Sequence, residues 1–302
     1  MNIVTHAPAW LAGLACLFTV WQTPVNAADW QYPLGVAIDS QGRVLLSDRR
    51  FHGVLALQDG ELTPVYEGLA TFRTPLNAVY CIHVARDGAI FVGDSATRDV
   101  YRLSPEGELT SLTSGHDGPA PKDEYRPGKI GVPTQIASNS QGELFVTDLE
   151  LQRVWKLPAA GGEPQEFAVL AGARGVAVDA ENNVWILTAQ PPHIRRVSPD
   201  GQTTTELVAE RTFEFPHQIA IRQDGTALVT DGYGKAVWAV TPEGATSRLA
   251  SGDPFVNPVG LCLREDGMTA LVIDPRAPGL FEVDTDGKVQ RLYPPANGAA
   301  AP

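Results

Sequence analysis

Three side chains suited to moving protons or holding charge occupy equivalent places in a chain of 302 residues. Tyr80, Arg174 and His217 are each the second residue of a short apolar run, VYCIHV, ARGVAV and PHQIAI. Imidazole titrates nearest neutrality, a phenol can donate a proton, and a guanidinium holds an oxyanion. The same place in three further runs holds Leu34, Thr134 and Val259, and Gln135 and Gln218 follow directly in two of the six. The ligand-binding candidates are therefore Tyr80, Thr134, Gln135, Arg174, His217 and Gln218. For chemistry, His217 would serve as base, with Tyr80 and Arg174 assisting. The competing reading is that these polar groups only hydrogen-bond channel water. No acid stands among the six positions, and a zinc site needs three or four protein ligands. A divalent metal is thus compatible with the chain but lacks a full ligand set. No Ser or Cys sits in a nucleophile elbow, and no glycine-rich phosphate loop occurs.

What would bring these residues together is a repeat. Paired runs recur six times: PLGVAIDSQGRVLLSD, VYCIHVARDGAIFVGD, PTQIASNSQGELFVTD, ARGVAVDAENNVWILT, PHQIAIRQDGTALVTD and PVGLCLREDGMTALVID. Each is split by a turn (SQG, RDG, SQG, ENN, QDG, EDG) whose Gly or Asn tolerates positive φ. A third run follows (VLAL, VYRL, VWKL, IRRV, VWAV, LFEV), then another Gly-bearing turn and a weaker, more polar fourth run. Four strands in roughly 40–45 residues is the signature of a propeller blade, which buries its faces only against neighbours. The expected fold is all-β: a six-bladed β-propeller with four antiparallel strands per blade. The blades fall near 32–68, 78–112, 132–171, 172–209, 215–251 and 257–294, in one domain over 28–295. Small residues recur on the first strands (Ala37, Ala137, Ala177, Ala220, Cys262), and His83 breaks that pattern. Four strands in order per unit leave none for a strand exchange, so Trp30 and Tyr32 are expected to pad the seam of the ring. An Asp ends most second strands (Asp48, Asp94, Asp148, Asp231, Asp274). Its recurrence predicts a structural acceptor of backbone N–H groups rather than a calcium ligand.

The units resemble NHL repeats of the six-bladed TolB-like propeller group, which includes the SMP-30/gluconolactonase relatives. PLGVAIDSQGRVLLSD and ARGVAVDAENNVWIL match best, and the HDGPA segment at 116–120 is similar to a stretch common between such repeats. The resemblance runs from Tyr32 to Tyr293. It implies the fold but no single activity, because this scaffold carries lactonases, lyases and pure binding proteins. Gluconolactonase-like enzymes hold a cation with Glu, Asn and Asp at channel positions, which the six positions here do not supply. Peptidyl-hydroxyglycine amidating lyases bind zinc through channel histidines, some in Pro-His motifs. Pro216-His217 resembles one such motif, and Tyr80 and Arg174 resemble that enzyme's polar residues. His217 is alone at its level. His83 would reach it only by facing the channel, and His52, His116 and His193 fall on loops of the same face.

Loop length varies mainly at one end of the ring. The largest insertion covers 113–131 and a smaller one 68–77, and loops that outgrow their scaffold tend to carry function. Arg49, Arg50, Arg98, Arg153, Arg195, Arg196, Lys235 and Arg276 lie on or beside that face in a chain of net charge −12. A locally positive funnel for an anionic ligand is one reading. Pairing with Asp99, Glu150 and Asp231 is the other. No basic stripe exists for nucleic acid. Residues 10–21, WLAGLACLFTVW, followed by Val25-Asn26-Ala27, read as a signal peptide over 1–27 without a basic residue at its start, and are too short for a membrane span. That predicts a secreted or periplasmic protein with a flexible tail at 296–302. Cys81 and Cys262 fall on non-neighbouring blades, beyond disulfide reach, and are expected to be buried free thiols. The leading functional reading is a ligand- or protein-binding module working through its loop-rich face and channel mouth. The alternative is a channel-mouth lyase or hydrolase.

Overall fold

The computed structural model describes residues 30–116 and 118–294. The expected signal peptide over 1–27, Asp117 and the expected tail at 296–302 lie outside the described residues. Twenty-four strands form six four-stranded antiparallel sheets, each pairing its strands in chain order. The first strands, Pro33–Ile38, Val79–Val84, Pro133–Ser138, Ala173–Val178, Pro216–Ile221 and Gly260–Leu263, line the axis. No helix occurs among the described residues. The six-bladed reading of the repeat holds.

Local chemistry explains each blade. The hairpin joining first and second strands carries a left-handed residue in every copy: Gly42, Gly88, Gly142, Asn182, Gly225 and Gly267, with φ between 63° and 83°. Those are the positions where the SQG, RDG, ENN and EDG turns place Gly or Asn, which adopt that backbone at little cost. The second strands alternate their apolar side chains towards both neighbouring blades and are wholly buried, as in Val44–Asp48 and Ala270–Asp274. Fourth strands are the most exposed, and Thr204–Glu206 is exposed throughout. Polar side chains on such an edge discourage pairing with a foreign strand.

Apolar packing is divided among the interfaces between blades. Leu45, Val54 and Ala56 of the first blade meet Ile82, Ile90 and Val92 of the second, and comparable clusters fill the other interfaces. The seam is of the same kind: Val36, Leu46 and Leu55 pack on Leu271, Ile273 and Leu280 of the last blade. Trp30 closes it from outside, edge-on to Tyr293 with ring centroids 4.9 Å apart. Burying a Leu side chain such as Leu46 stabilises by about 2–3 kcal/mol, and among the described residues the seam is held by side-chain packing with no strand shared between the two blades. Cys81 is buried and Cys262 is only partly so, which corrects the expectation of two buried thiols; both are free.

The recurrent aspartates tie each blade to the loop before it. Asp148 accepts hydrogen bonds from the N–H groups of Gly131, Val132, Glu150 and Leu151 and from the Trp155 indole. Asp48, Asp94, Asp231 and Asp274 repeat the arrangement. All five are fully buried. The fourth blade has Thr188 instead, which donates to the Gln190 and Pro192 carbonyls.

Candidate functional site

In five of the six blades the residue expected at the mouth stands at an irregularity in strand pairing, and in the sixth Val259 directly precedes the strand. Register shifts between Pro33 and Gly35, Val79 and Cys81, and Ala173 and Gly175 leave Leu34, Tyr80 and Arg174 outside the ladder. The shift between Pro216 and Ile219 frees His217 and Gln218, and Thr134 is skipped between Pro133 and Gln135. A β-bulge re-aims the side chain it carries. Here it takes Leu34, Tyr80, Thr134, Arg174 and His217 out of the regular alternation of their strands. Hydroxyls from the preceding blade fix three of these mouth positions: Ser47 donates to the Tyr80 carbonyl (3.4 Å), Thr147 to that of Arg174 (3.2 Å) and Thr230 to that of Val259 (2.7 Å).

The six positions divide sharply. Leu34, Thr134 and Val259 are buried, and the Thr134 hydroxyl is 2.9 Å from that of Thr147. Gln135 and Gln218 are buried and engaged with backbone. Gln135 donates to the Ile219 carbonyl and its Oε1 accepts from the N–H groups of Val176 and Ile219. Gln218 donates to the Thr134 carbonyl and accepts from the Leu261 N–H. These two amides link the third blade to the fourth and fifth, and the fifth to the sixth, forming a crossbar over the bore. The arrangement gives both glutamines and Thr134 a structural use. Tyr80, Arg174 and His217 remain partly accessible above it.

Phe215 gathers two of these three. The Arg174 guanidinium lies 4.0 Å from the Phe215 ring centroid, and the His217 ring meets the same ring edge-on at 5.0 Å. Tyr233 stacks on Phe215 at 4.6 Å and is 60% exposed. Asn257 completes the group: a Cβ at Gly232 would stand 2.5 Å from Asn257 Oδ1 and 2.7 Å from His217 Nε2, so only glycine lets both approach. Phe215, Gly232, Tyr233 and Asn257 did not emerge from the sequence. A Tyr between two glycines directly after the structural Asp231 was the signal available for the loop tip.

The electrostatics are those of a dry, cationic corner. Burial, and after it the Arg174 charge, pushes the His217 imidazole down to about 4, so it is neutral at neutral pH. Burial raises the Tyr80 phenol while Arg174 and Arg49 pull it down. Burial lowers Arg174 as well. His217 Nε2 and Arg174 Nε are both buried without a hydrogen-bond partner, and Arg174 makes no salt bridge among the described residues.

Other expectations fare unevenly. Among the described residues no three His, Cys, Asp or Glu stand close enough to hold a metal. His83 does face the channel, but in a cavity of about 210 Å³ that Gln135 and Gln218 also line, with its Nε2 2.8 Å from the Ser138 hydroxyl. The crossbar thus separates it from His217. His193 lies on its loop, just before the strand Ile194–Val197, but is fully buried there against Phe213. Of the loop cations, Arg98 pairs with Glu150, Arg153 with Glu166 and Arg195 with Glu206. Arg196 belongs to the opposite end of the ring, over Trp185 and bonded to the Pro242 carbonyl. Arg49 and Arg50 have no acidic side-chain partner among the described residues.

Solved structures share this architecture. Virginiamycin B lyase from Staphylococcus aureus superposes with a TM-score of 0.65 at 17% identity, over 90% of this chain and 86% of that one. A gluconolactonase from Xanthomonas campestris gives 0.67 at 14%, over 87% of each. The fold is that of the lyase and gluconolactonase propellers. This agrees with the six-bladed group that the repeats resemble. By sequence, the chain is 30% identical over 159 residues to virginiamycin B lyase of Nocardia farcinica (strain IFM 10152), covering 53% of this chain and 54% of that protein. It is 27% identical over 237 residues to peptidyl-glycine alpha-amidating monooxygenase B of Xenopus laevis, covering 72% of this chain and 27% of that one. The chain thus spans about half of the first relative's length and about a quarter of the second's. No protein-family model matches it. The zinc set implied by the Pro-His motif does not fit these residues, since His217 stands with an arginine and an amide instead of further ligands.

Proposed function

We propose that the mouth binds a small anionic molecule and cleaves it by proton transfer, as a lyase. The observation that carries this reading is the pair of buried polar atoms without partners, His217 Nε2 and Arg174 Nε, set around one phenyl ring. Leaving a buried polar group unmet costs about 1–3 kcal/mol, and more for a charged one. Such atoms persist at sites that receive a ligand. Sequence relatives that include a lyase support the chemistry.

Arg174 holds a carboxylate or carbonyl oxygen of the substrate, so that negative charge developing on the adjacent carbon is stabilised. Neutral His217 accepts the proton from that carbon at Nε2. The electron pair of the broken C–H bond forms a double bond as the bond to the leaving group breaks. Tyr80 gives its proton to the leaving group, and Arg174 stabilises the resulting phenolate. Solvent then returns the proton from His217 to Tyr80. Every atom is accounted for within substrate, His217 and Tyr80, and no step passes through a metal.

Solvent exchange provides the test. Small hydroxy acids and their esters are incubated with the protein in D2O, and NMR reads deuterium incorporation beside the carboxylate. Incorporation that His217→Gln abolishes is expected. Arg174-dependent binding with no exchange in any of them would leave the coarser, pure binding module. Export belongs to the same proposal: protein recovered outside the cytoplasm is expected to begin at Ala28, and a retained 1–27 segment would overturn it.

A further inference from the structure

A second feature of the same face extends that reading. Between the first and second blades lies an open cleft of about 570 Å³, whose walls include Tyr32, Arg49, Arg50, His52, Phe72 and Asn77. Its lining contains two arginines and no acid. That is unexpected for a chain with 35 acids and 23 basic residues. The two large clefts at the opposite end include Asp179, Glu181 and Asp224 in one case, and Asp39 and Glu265 in the other. The acid nearest in sequence, Asp48, is wholly buried and already accepts four backbone N–H groups, those of Gln31, Tyr32, Arg50 and Phe51.

Arg50 is held by an aromatic face instead of by countercharge. Arg50 lies 5.3 Å from the Tyr32 ring centroid. At the outer wall Phe72 is 74% exposed and carries Arg73 5.1 Å from its ring centroid, adding a third guanidinium nearby. A guanidinium on an aromatic face keeps its edge donors free for an oxyanion, which it meets in a planar fork. Neighbouring cations without an anion repel each other, so the arrangement is more favourable when filled. The cleft also adjoins the mouth. Tyr80 senses Arg49 and Tyr32 on this side and Arg174 on the other.

We infer that this cleft is a second oxyanion subsite, so that the ligand carries two acidic groups, one at Arg174 and one at Arg49 and Arg50, with Tyr80 between them. This rests on the proposed role of Arg174. A carboxylate, sulfate or phosphate provides the required chemistry at the second point.

Calorimetric titration with succinate, glutarate and adipate, with monocarboxylates of matching length, and with inorganic phosphate separates the possibilities. At low ionic strength at least one dicarboxylate binds about ten-fold tighter than its monocarboxylate counterpart, as expected for an added charge-assisted pair. Arg49→Gln with Arg50→Gln removes that preference and leaves monocarboxylate binding intact, and the paired Lys substitutions restore part of it. Both side chains are exposed, so the double variant keeps its fold, which thermal melting checks. A preference that is absent, or that survives the double variant, overturns the second subsite and leaves the Arg174 reading standing. Monocarboxylate binding unaffected by Arg174→Gln overturns the parent reading. Phosphate binding that requires Arg49 and Arg50 still supports the cleft in that event. The balance between the phosphate and dicarboxylate arms identifies the chemistry of the second group.

Discussion

Arg174 rests on the face of Phe215, with its guanidinium carbon 4.0 Å from the ring centroid and no carboxylate paired to it among the described residues. The cation is stabilised by an aromatic quadrupole rather than by an ion pair, which leaves its hydrogen-bonding edge available. Stacking of this kind contributes about 0.5–2 kcal/mol, depending on desolvation. Phe215→Leu is therefore expected to weaken carboxylate binding by about two- to thirty-fold, the range that follows from that energy. Titration calorimetry would read it, and unchanged affinity would show that the ring does not orient Arg174.

Stability should depend on pH through His217. The unfolded imidazole takes up a proton near 6.5, whereas the folded one does so only near 4. Between those values the unfolded state holds more protons, so stability falls as pH drops from 6.5 towards 4 and changes no further through this group below that. His83 shifts the same way, so His217→Gln should flatten the slope only in part. Denaturant melts at pH 7, 5.5 and 4.5 in both proteins check this; identical slopes would contradict the burial assigned to His217.

Occupancy of the mouth should in turn raise the His217 pKa. Arg174 is the second cause of its depression after burial, and an anion bound there offsets that charge. NMR titration of the imidazole with and without acetate is expected to show the upward shift, and a downward or absent shift would place the anion elsewhere.

Gly232→Ala puts a methyl group against His217 Nε2 and Asn257 Oδ1. Overpacking of this sort costs about 1–3 kcal/mol, and the displaced imidazole should lose its exchange activity. A melting temperature close to that of the parent together with full activity would mean that both side chains yield without consequence.

Gln135→Ala removes the acceptor of two buried N–H groups, those of Val176 and Ile219. Unmet buried donors cost about 1–3 kcal/mol each, so a loss of about 2–5 kcal/mol in chemical denaturation is expected. A loss below about 1 kcal/mol would mean that water replaces the amide at no net cost.

Much of the ring was legible because each blade repeats one local solution. The left-handed turn residue, the buried aspartate and the apolar second strand are all set within a few positions of sequence, and six copies reinforce one another. The candidate site was legible only in part. Position within the repeat identified Tyr80, Arg174 and His217, because a bulge occurs near the start of the first strand in five of the six blades. It could not distinguish them from Thr134, Gln135 and Gln218, whose engagement depends on backbone groups up to 84 residues away. Phe215 and Asn257 are likewise set by tertiary contact, and nothing in FEFPH or FVNPV marks them. Arg196 was misplaced because a loop basic and a strand basic look alike until the hairpin register is known.

The glutamine crossbar has one more implication. A molecule that settles on Arg174 meets the two amides beneath it, so arrival and departure are expected to share one doorway. If the proposed lyase reading holds, fragments leave past the next incoming molecule, and turnover slows as products accumulate.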